Sequence, residues 1–273
     1  MRAVRFLAFL CSAVSASAQD APTLLQLHPH FGDTLRTLLE QHTEVSMTPS
    51  GTGAAAPKSV VTSLAIHSRT IVRAVQSSGT TVLTIVDSAR VATSDIHGAK
   101  LMADAQRALD GQQLLLELAA DGTVESARDS RGVLVTKSVA EAMSAMPAVF
   151  PKKAVAVGET WTREMPLPSG GSLGSRSTGK VRATFQLDSV QRGGAVAYLS
   201  MRGQIIPDHL SAGEELSGAI NGTMQLDRIR GWLTDSRFAI TMRTVVAPAA
   251  AKGLAPMRFL TKVTQRLRTM DKR

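Results

Sequence analysis

Three short strings in the chain have spacings that elsewhere do phosphate or acyl chemistry. Gly174-Ser175-Arg176-Ser177-Thr178-Gly179-Lys180 has the spacing of a phosphate-binding loop, in which backbone N–H groups and a lysine hold phosphate oxygens. The next residue is Val181, where a magnesium-binding serine or threonine would stand. An alternating strand pattern follows, where the chemistry needs the N-terminus of a helix. Gly170-Gly171-Ser172-Leu173-Gly174 spells the nucleophile elbow of serine hydrolases. Pro166 and Pro168 disfavour the incoming strand, and no helix follows to expose the serine beside an oxyanion hole. A triad there would have to recruit Asp188 and His209. Ser177 and Lys180 also stand at S-x-x-K spacing, but the lysine opens a strand instead of sitting one helical turn away. All three strings read as solvated loop, so neither an enzyme nor a cofactor is expected.

Binding chemistry has better candidates. His28 and His30 could share a metal ion, but Pro29 between them favours a loop and no third ligand stands at a useful spacing, so no metal is expected. His67, Arg69 and Arg73 fall on one parity of a long alternating segment, where they could line a polar groove for an anionic headgroup. Trp161 and Trp232 read either as core residues or as the lining of an apolar cleft. Met143, Met146, Met201, Met224 and Met242 sit on apolar faces, where flexible side chains suit an adaptable pocket or an irregular core.

These residues are positioned by segments that mostly alternate with period 2. Val181, Ala183, Phe185 and Leu187 alternate with Lys180, Arg182, Thr184 and Gln186, the pattern of a strand with one buried and one wet face. Gln191-Arg192-Gly193-Gly194 then turns the chain into 195–202, giving a hairpin. Leu35, Leu39, Val45 and Met47 oppose Arg36, Glu40, His42 and Glu44. Trp232, Phe238, Ile240 and Met242 share a parity opposite Asp235, Arg237, Thr241 and Arg243. Further long strands are expected over 60–75 and 81–91, and Asp121-Gly122 marks a hairpin turn between 114–118 and 123–128. Helical spacing appears at Leu101, Ala105 and Ala108 or Leu109, between His97-Gly98 and Gly111, and again at Val139, Met143 and Met146 before Pro147. The segment 257–270 fits a strand or a basic amphipathic helix. Its β-branched Thr261, Val263 and Thr264 favour the strand. The expected fold is mainly β, a β-rich α+β arrangement of about 8–11 antiparallel strands in one curved or partly closed sheet, with one or two short helices.

The chain has 273 residues, 44% hydrophobic and 19% charged, which excludes a disordered chain. A basic n-region at 1–5, an apolar stretch at 6–14 and Ala16-Ser17-Ala18 predict a signal peptide over 1–18 and an exported protein, periplasmic or extracellular. The one cysteine, Cys11, lies inside that segment and follows Leu10, where a lipobox needs a small residue. No apolar run reaches the ~18–20 residues of a spanning helix. After the signal, the division read from the sequence is a β-rich half over 19–150 and a second over 151–273, with one continuous domain as the alternative. Lysine and arginine number 31 against 22 acidic residues, a formal charge of +9. Aromatics are only 4% of the chain and are not interleaved with the cations, so nucleic acid is not an expected partner.

Pro151-Lys152-Lys153-Ala154-Val155-Ala156-Val157-Gly158-Glu159-Thr160-Trp161 resembles the Val-x-Val-Gly-Glu-Thr-Trp-like strand start of an uncharacterised family of exported bacterial proteins. Gly32-Asp33-Thr34 and Gly231-Trp232-Leu233 fit the same layout. The resemblance implies an antiparallel β-rich fold, export and no known reaction, and it transfers no catalytic residue. As architecture alone, the pattern is also similar to the curved-sheet lipoprotein carriers of the periplasm. The resulting expectation is an exported, non-enzymatic protein that binds a lipid or other apolar ligand in the bacterial envelope. The second reading is a structural or interaction protein of the envelope, whose basic face meets a polymer or protein partner.

Overall fold

The computed structural model describes residues 21–49, 57–130, 149–166, 179–208, 210, 213–246 and 256–270. Among these residues eleven strands form one sheet: β1 (Thr34–Pro49), β2 (Lys58–Val75), β3 (Thr80–Thr93), β4 (Gln113–Leu118), β5 (Val124–Asp129), β6 (Thr160–Pro166), β7 (Gly179–Gln191), β8 (Val196–Pro207), β9 (Glu215–Asp227), β10 (Trp232–Val246) and β11 (Met257–Thr269). Among the described residues a single helix, α1 (Ala99–Leu109), stands between β3 and β4. The strand expected over 257–270 is therefore found, as are the strands of 60–75, 81–91 and 180–202. The second helix, expected around Val139–Met146, lies outside the described residues.

The order across the sheet is β5-β4-β3-β2-β1-β11-β10-β9-β8-β7-β6. Every pair in it is antiparallel. The first five strands and the last six each form a meander, and β1 joins the two by pairing with β11 from Thr37↔Thr269 to Pro49↔Met257. Strands from both sides of residue 150 thus share one sheet. It is open, with β5 and β6 at its edges, and no ladder closes it into a barrel among the described residues.

The alternation read from the sequence decides which face is buried. Ala183, Phe185 and Leu187 on β7 are fully buried, as are Leu199 on β8 and Leu226 on β9. Leu25, Phe150 and Val155, from the segments before β1 and β6, pack onto the same cluster. A second cluster contains Trp232 at the start of β10 with Val72, Val82, Leu114 and Leu116 of β2, β3 and β4. In a flat sheet these strands would lie ~14–24 Å from β10, at ~4.8 Å per strand. Their joint burial requires the sheet to curl with this face inside.

One end of the curl is tied by backbone. The segment before β1 donates from Leu27 to Ala120 (2.8 Å) and from His28 to Gly231 (3.2 Å), and it forms a bridge between Thr23 and Val155. It thereby joins the β4–β5 turn, the β9–β10 turn and the approach to β6. The N–H groups of Val149 and Phe150 reach the Asp121 carbonyl in the β4–β5 turn at 3.0 and 3.1 Å. Helix α1 resolves a different problem. β4 pairs with β3 only over Thr80–Ile85. Farther along β3, the N–H groups of Ala89 and Val91 are instead accepted by the side chains of Asp110 and Gln106, at and just beyond the end of α1. Unpaired strand edges need such partners.

Candidate functional site

The residues singled out in the sequence do not assemble into one site. Trp161 is half-buried, stacks on Phe185 with ring centroids 5.8 Å apart, and donates its Nε1–H to the Val149 carbonyl at 2.8 Å. Trp232 is 8% exposed and belongs to the second apolar cluster. Its expected parity with Phe238 is broken by a register shift between Leu233 and Asp235, which places Leu233 opposite buried Leu226. His67 and Arg69 face away from the core, and Arg69 Nε is held by Asp87 Oδ1 at 2.8 Å. Arg73 does not stay in line with them. A shift between Val72 and Ala74 leaves it as the extra residue of a bulge, a device that re-aims a side chain.

His28 and His30 are exposed on the segment before β1. His28 Nδ1 lies 3.2 Å from the Gln26 carbonyl and His30 Nδ1 3.5 Å from Asp33. No group of three metal-ligating side chains occurs among the described residues. Lys180 opens β7 and binds Glu164 of β6 at 2.6 Å, and Asp188 accepts from Ser200 Oγ at 2.8 Å. Ser172, Ser177 and His209 lie outside the described residues. Among the described residues no helix is long and apolar enough to cross a membrane.

A large open concavity arises from an arrangement that only the registers reveal. Across seven strands, Arg90, Ala65, Glu40, Arg266, Arg237, Thr223 and Ser200 stand opposite one another in a single row. Two residues along each strand, Ser63, His42, Thr264, Ala239, Asn221 and Arg202 form a second row on the same face. The residues between the rows, including Leu64, Phe238 and Met201, turn their side chains to the core face. The two rows and the backbone between them enclose an open groove of about 740 Å³. A shallow depression of about 270 Å³ continues it past Asp188, Gln225 and Asp235.

The groove is basic. Arg90, Arg202, Arg237 and Arg266 line it, against Glu40 alone among acids. Asp235 sits beside it and holds Arg266 at 2.9 Å and Arg237 at 3.4 Å. The Nε of Arg266 is buried with no hydrogen-bond partner. Arg90 and Arg202 have no ion-pair partner among the described residues. The arginine, hydroxyl and amide groups that line the groove can recognise a ligand by charge and hydrogen bonding.

The core face presents a different surface. Over β7–β9 it is sealed, but over β1, β2, β10 and β11 the side chains of Val45, Met47, Leu64, Phe238, Phe259 and Val263 remain half-exposed. Registers place Met47 opposite Phe259, Thr43 opposite Val263, and Gln41 opposite Leu64. This strip was legible as parity in the sequence. The groove was not, because nothing local says which cation of one strand meets which residue of the next.

Residues 133–233 match the model of a family of unknown function, DUF6263. The matched stretch includes Pro151–Trp161 and Gly231-Trp232-Leu233, two of the segments on which the resemblance to an uncharacterised family rests. None of the curated proteins matches the chain. Among solved structures, DynF from the dynemicin biosynthesis pathway of Micromonospora chersina is 8% identical over 93% of this chain and 88% of its own, with a TM-score of 0.25. An outer membrane channel from Pseudomonas putida F1 is 10% identical over 89% of this chain and 97% of its own, with a TM-score of 0.22. At these scores the likenesses bear on neither fold nor function.

Proposed function

We propose that the chain is an exported, non-enzymatic binding protein that takes an apolar ligand, such as a lipid acyl chain, against the half-exposed part of its core face. The observation that supports this reading is the contrast along one face. The layer is buried to a few per cent over β7–β9, whereas over the middle strands the buried Thr43, Thr261 and Met242 stand among half-buried Val45, Met47, Leu64, Phe238, Phe259 and Val263. A soluble monomer gains by covering apolar surface, at ~25 cal/mol per Å² removed from water. A set of partly uncovered apolar side chains inside a curl suits a ligand that completes their burial. Methionine and phenylalanine in the strip adapt to chains of differing shape.

The test is native mass spectrometry of the protein purified from its own compartment without detergent, followed by solvent extraction. A reproducible copurifying lipid mass is expected. Uptake of a fluorescent fatty acid by the delipidated protein should weaken about tenfold in Phe259→Asp, which places a charge in the strip without touching the sealed cluster. An apo mass together with no uptake of the probe would overturn the reading.

A further inference from the structure

We propose a second binding site on the opposite face of the sheet: the arginine-lined groove binds a linear, carboxylate-bearing polysaccharide laid across the strands. Its shape favours an extended occupant over a compact one. The row from Arg90 to Ser200 crosses seven strands, a path of ~29 Å at ~4.8 Å per strand, and the groove is open along it. A chain fits such a path, whereas a small molecule would be held on one side only.

The charges are arranged for repeated anionic contacts. Arg90 stands at one end and Arg202 at the other, neither ion-paired among the described residues, and Arg266 and Arg237 lie between. A guanidinium carries five N–H donors, and those that Asp235 does not engage on Arg266 and Arg237 remain for a ligand. Between the cations stand Ser63, Thr223, Thr264 and Asn221, which can exchange hydrogen bonds with sugar hydroxyls. Carboxylates separated by hydroxyl-bearing units match that alternation.

Nucleic acid matches it less well. Sequence-tolerant base stacking is strongest on aromatic faces, and the one aromatic among the lining residues, Phe238, turns its ring to the core. A bilayer is a poor fit too, because a flat surface of headgroups does not enter a groove floored by backbone. Each exposed charge contact is weak. Affinity must then come from several contacts made at once, and it should fall as salt rises.

The experiment is titration of the full-length mature protein with polygalacturonate oligomers at low salt, beside neutral dextran of equal length and a single-stranded oligonucleotide of equal charge. Binding of polygalacturonate alone is expected. Arg90→Gln with Arg202→Gln should weaken it about tenfold, the upper range for two exposed charge contacts. The control pair Arg36→Gln and Arg258→Gln removes the same charge from the same face outside the groove and should leave binding within about twofold. Neither pair touches the core, and unchanged melting temperatures would show that both variants fold. Absence of polygalacturonate binding, equal binding of the oligonucleotide, or equal loss in the control pair would each overturn the proposal. Fatty-acid uptake measured in the same variants keeps this outcome separate from that of the apolar face.

Discussion

Glu164 meets Lys180 and Arg182 across the β6–β7 pair, at 2.6 and 2.7 Å. The hydrogen bond from Lys180, then that from Arg182, hold its carboxyl below the ordinary value of 4.5, with charge attraction adding to them and desolvation opposing. A carboxyl whose folded pKa lies below its unfolded one stabilises the fold fully above the unfolded value, and the contribution disappears as pH falls through the folded one. Glu164→Gln is therefore expected to lower the melting temperature slightly at neutral pH. The gap from wild type should be full above the ordinary value of 4.5 and shrink over the pH range below it, as pH falls through the folded value. Thermal melts across that range check this, and a gap independent of pH would assign the effect to packing. At this scale the sequence was informative about sidedness. Glu40, His42, Asp235 and Arg237 were legible as one wet face, and Phe185 and Leu187 as buried. It was misleading at Arg73 and Trp232, where a single inserted residue breaks the parity on which both readings relied.

Bulges are the part of each element that periodicity does not reveal. Besides those at Arg73 and near Trp232, register shifts occur between His67 and Ser68, between Leu187 and Ser189, and between Glu117 and Leu118. They deepen local twist and help a long sheet to curl. The turn before β10 shows a second constraint. Gly231 has φ of 65°, and a Cβ placed there would lie 2.4 Å from the His28 backbone. The glycine is needed both for the conformation and for the closeness of the segment that crosses this end of the sheet. Gly231→Ala is expected to destabilise the protein by ~1–3 kcal/mol, as for other strained backbone positions. It should also release residues 21–33 to proteases before the rest of the chain. Urea unfolding and limited proteolysis with timed sampling measure the two effects. Unchanged cleavage at 21–33 would mean that the contact does not hold the segment.

For the whole molecule, most of the strands, the antiparallel hairpins and the helix before Gly111 were legible, since each rests on local pattern, whereas β9 was not read from the sequence. The strand order was not, because β1 and β11 are neighbours only in space. The β1–β11 ladder is the sole strand pairing between the first five strands and the last six among the described residues. β5 and β6, by contrast, share no ladder. Separate fragments 21–130 and 149–273 are therefore expected to copurify as a heterodimer when coexpressed. Each alone leaves a long strand edge uncovered and should aggregate. Size-exclusion chromatography of the coexpressed and single fragments tests this, and soluble, monomeric single fragments would contradict it.

The same ladder bears on how quickly the native state is reached. It joins residues more than 200 apart in the chain. Each meander can form from neighbours by short loop closures, whereas the central seam must wait for a closure over nearly the whole chain, and non-local pairings of this kind slow folding. During that interval β1 presents an unpaired row of N–H and C=O groups in the middle of the future sheet. The kinetic bottleneck and the period of greatest exposure to aggregation therefore fall at one place, and both end when β11 arrives.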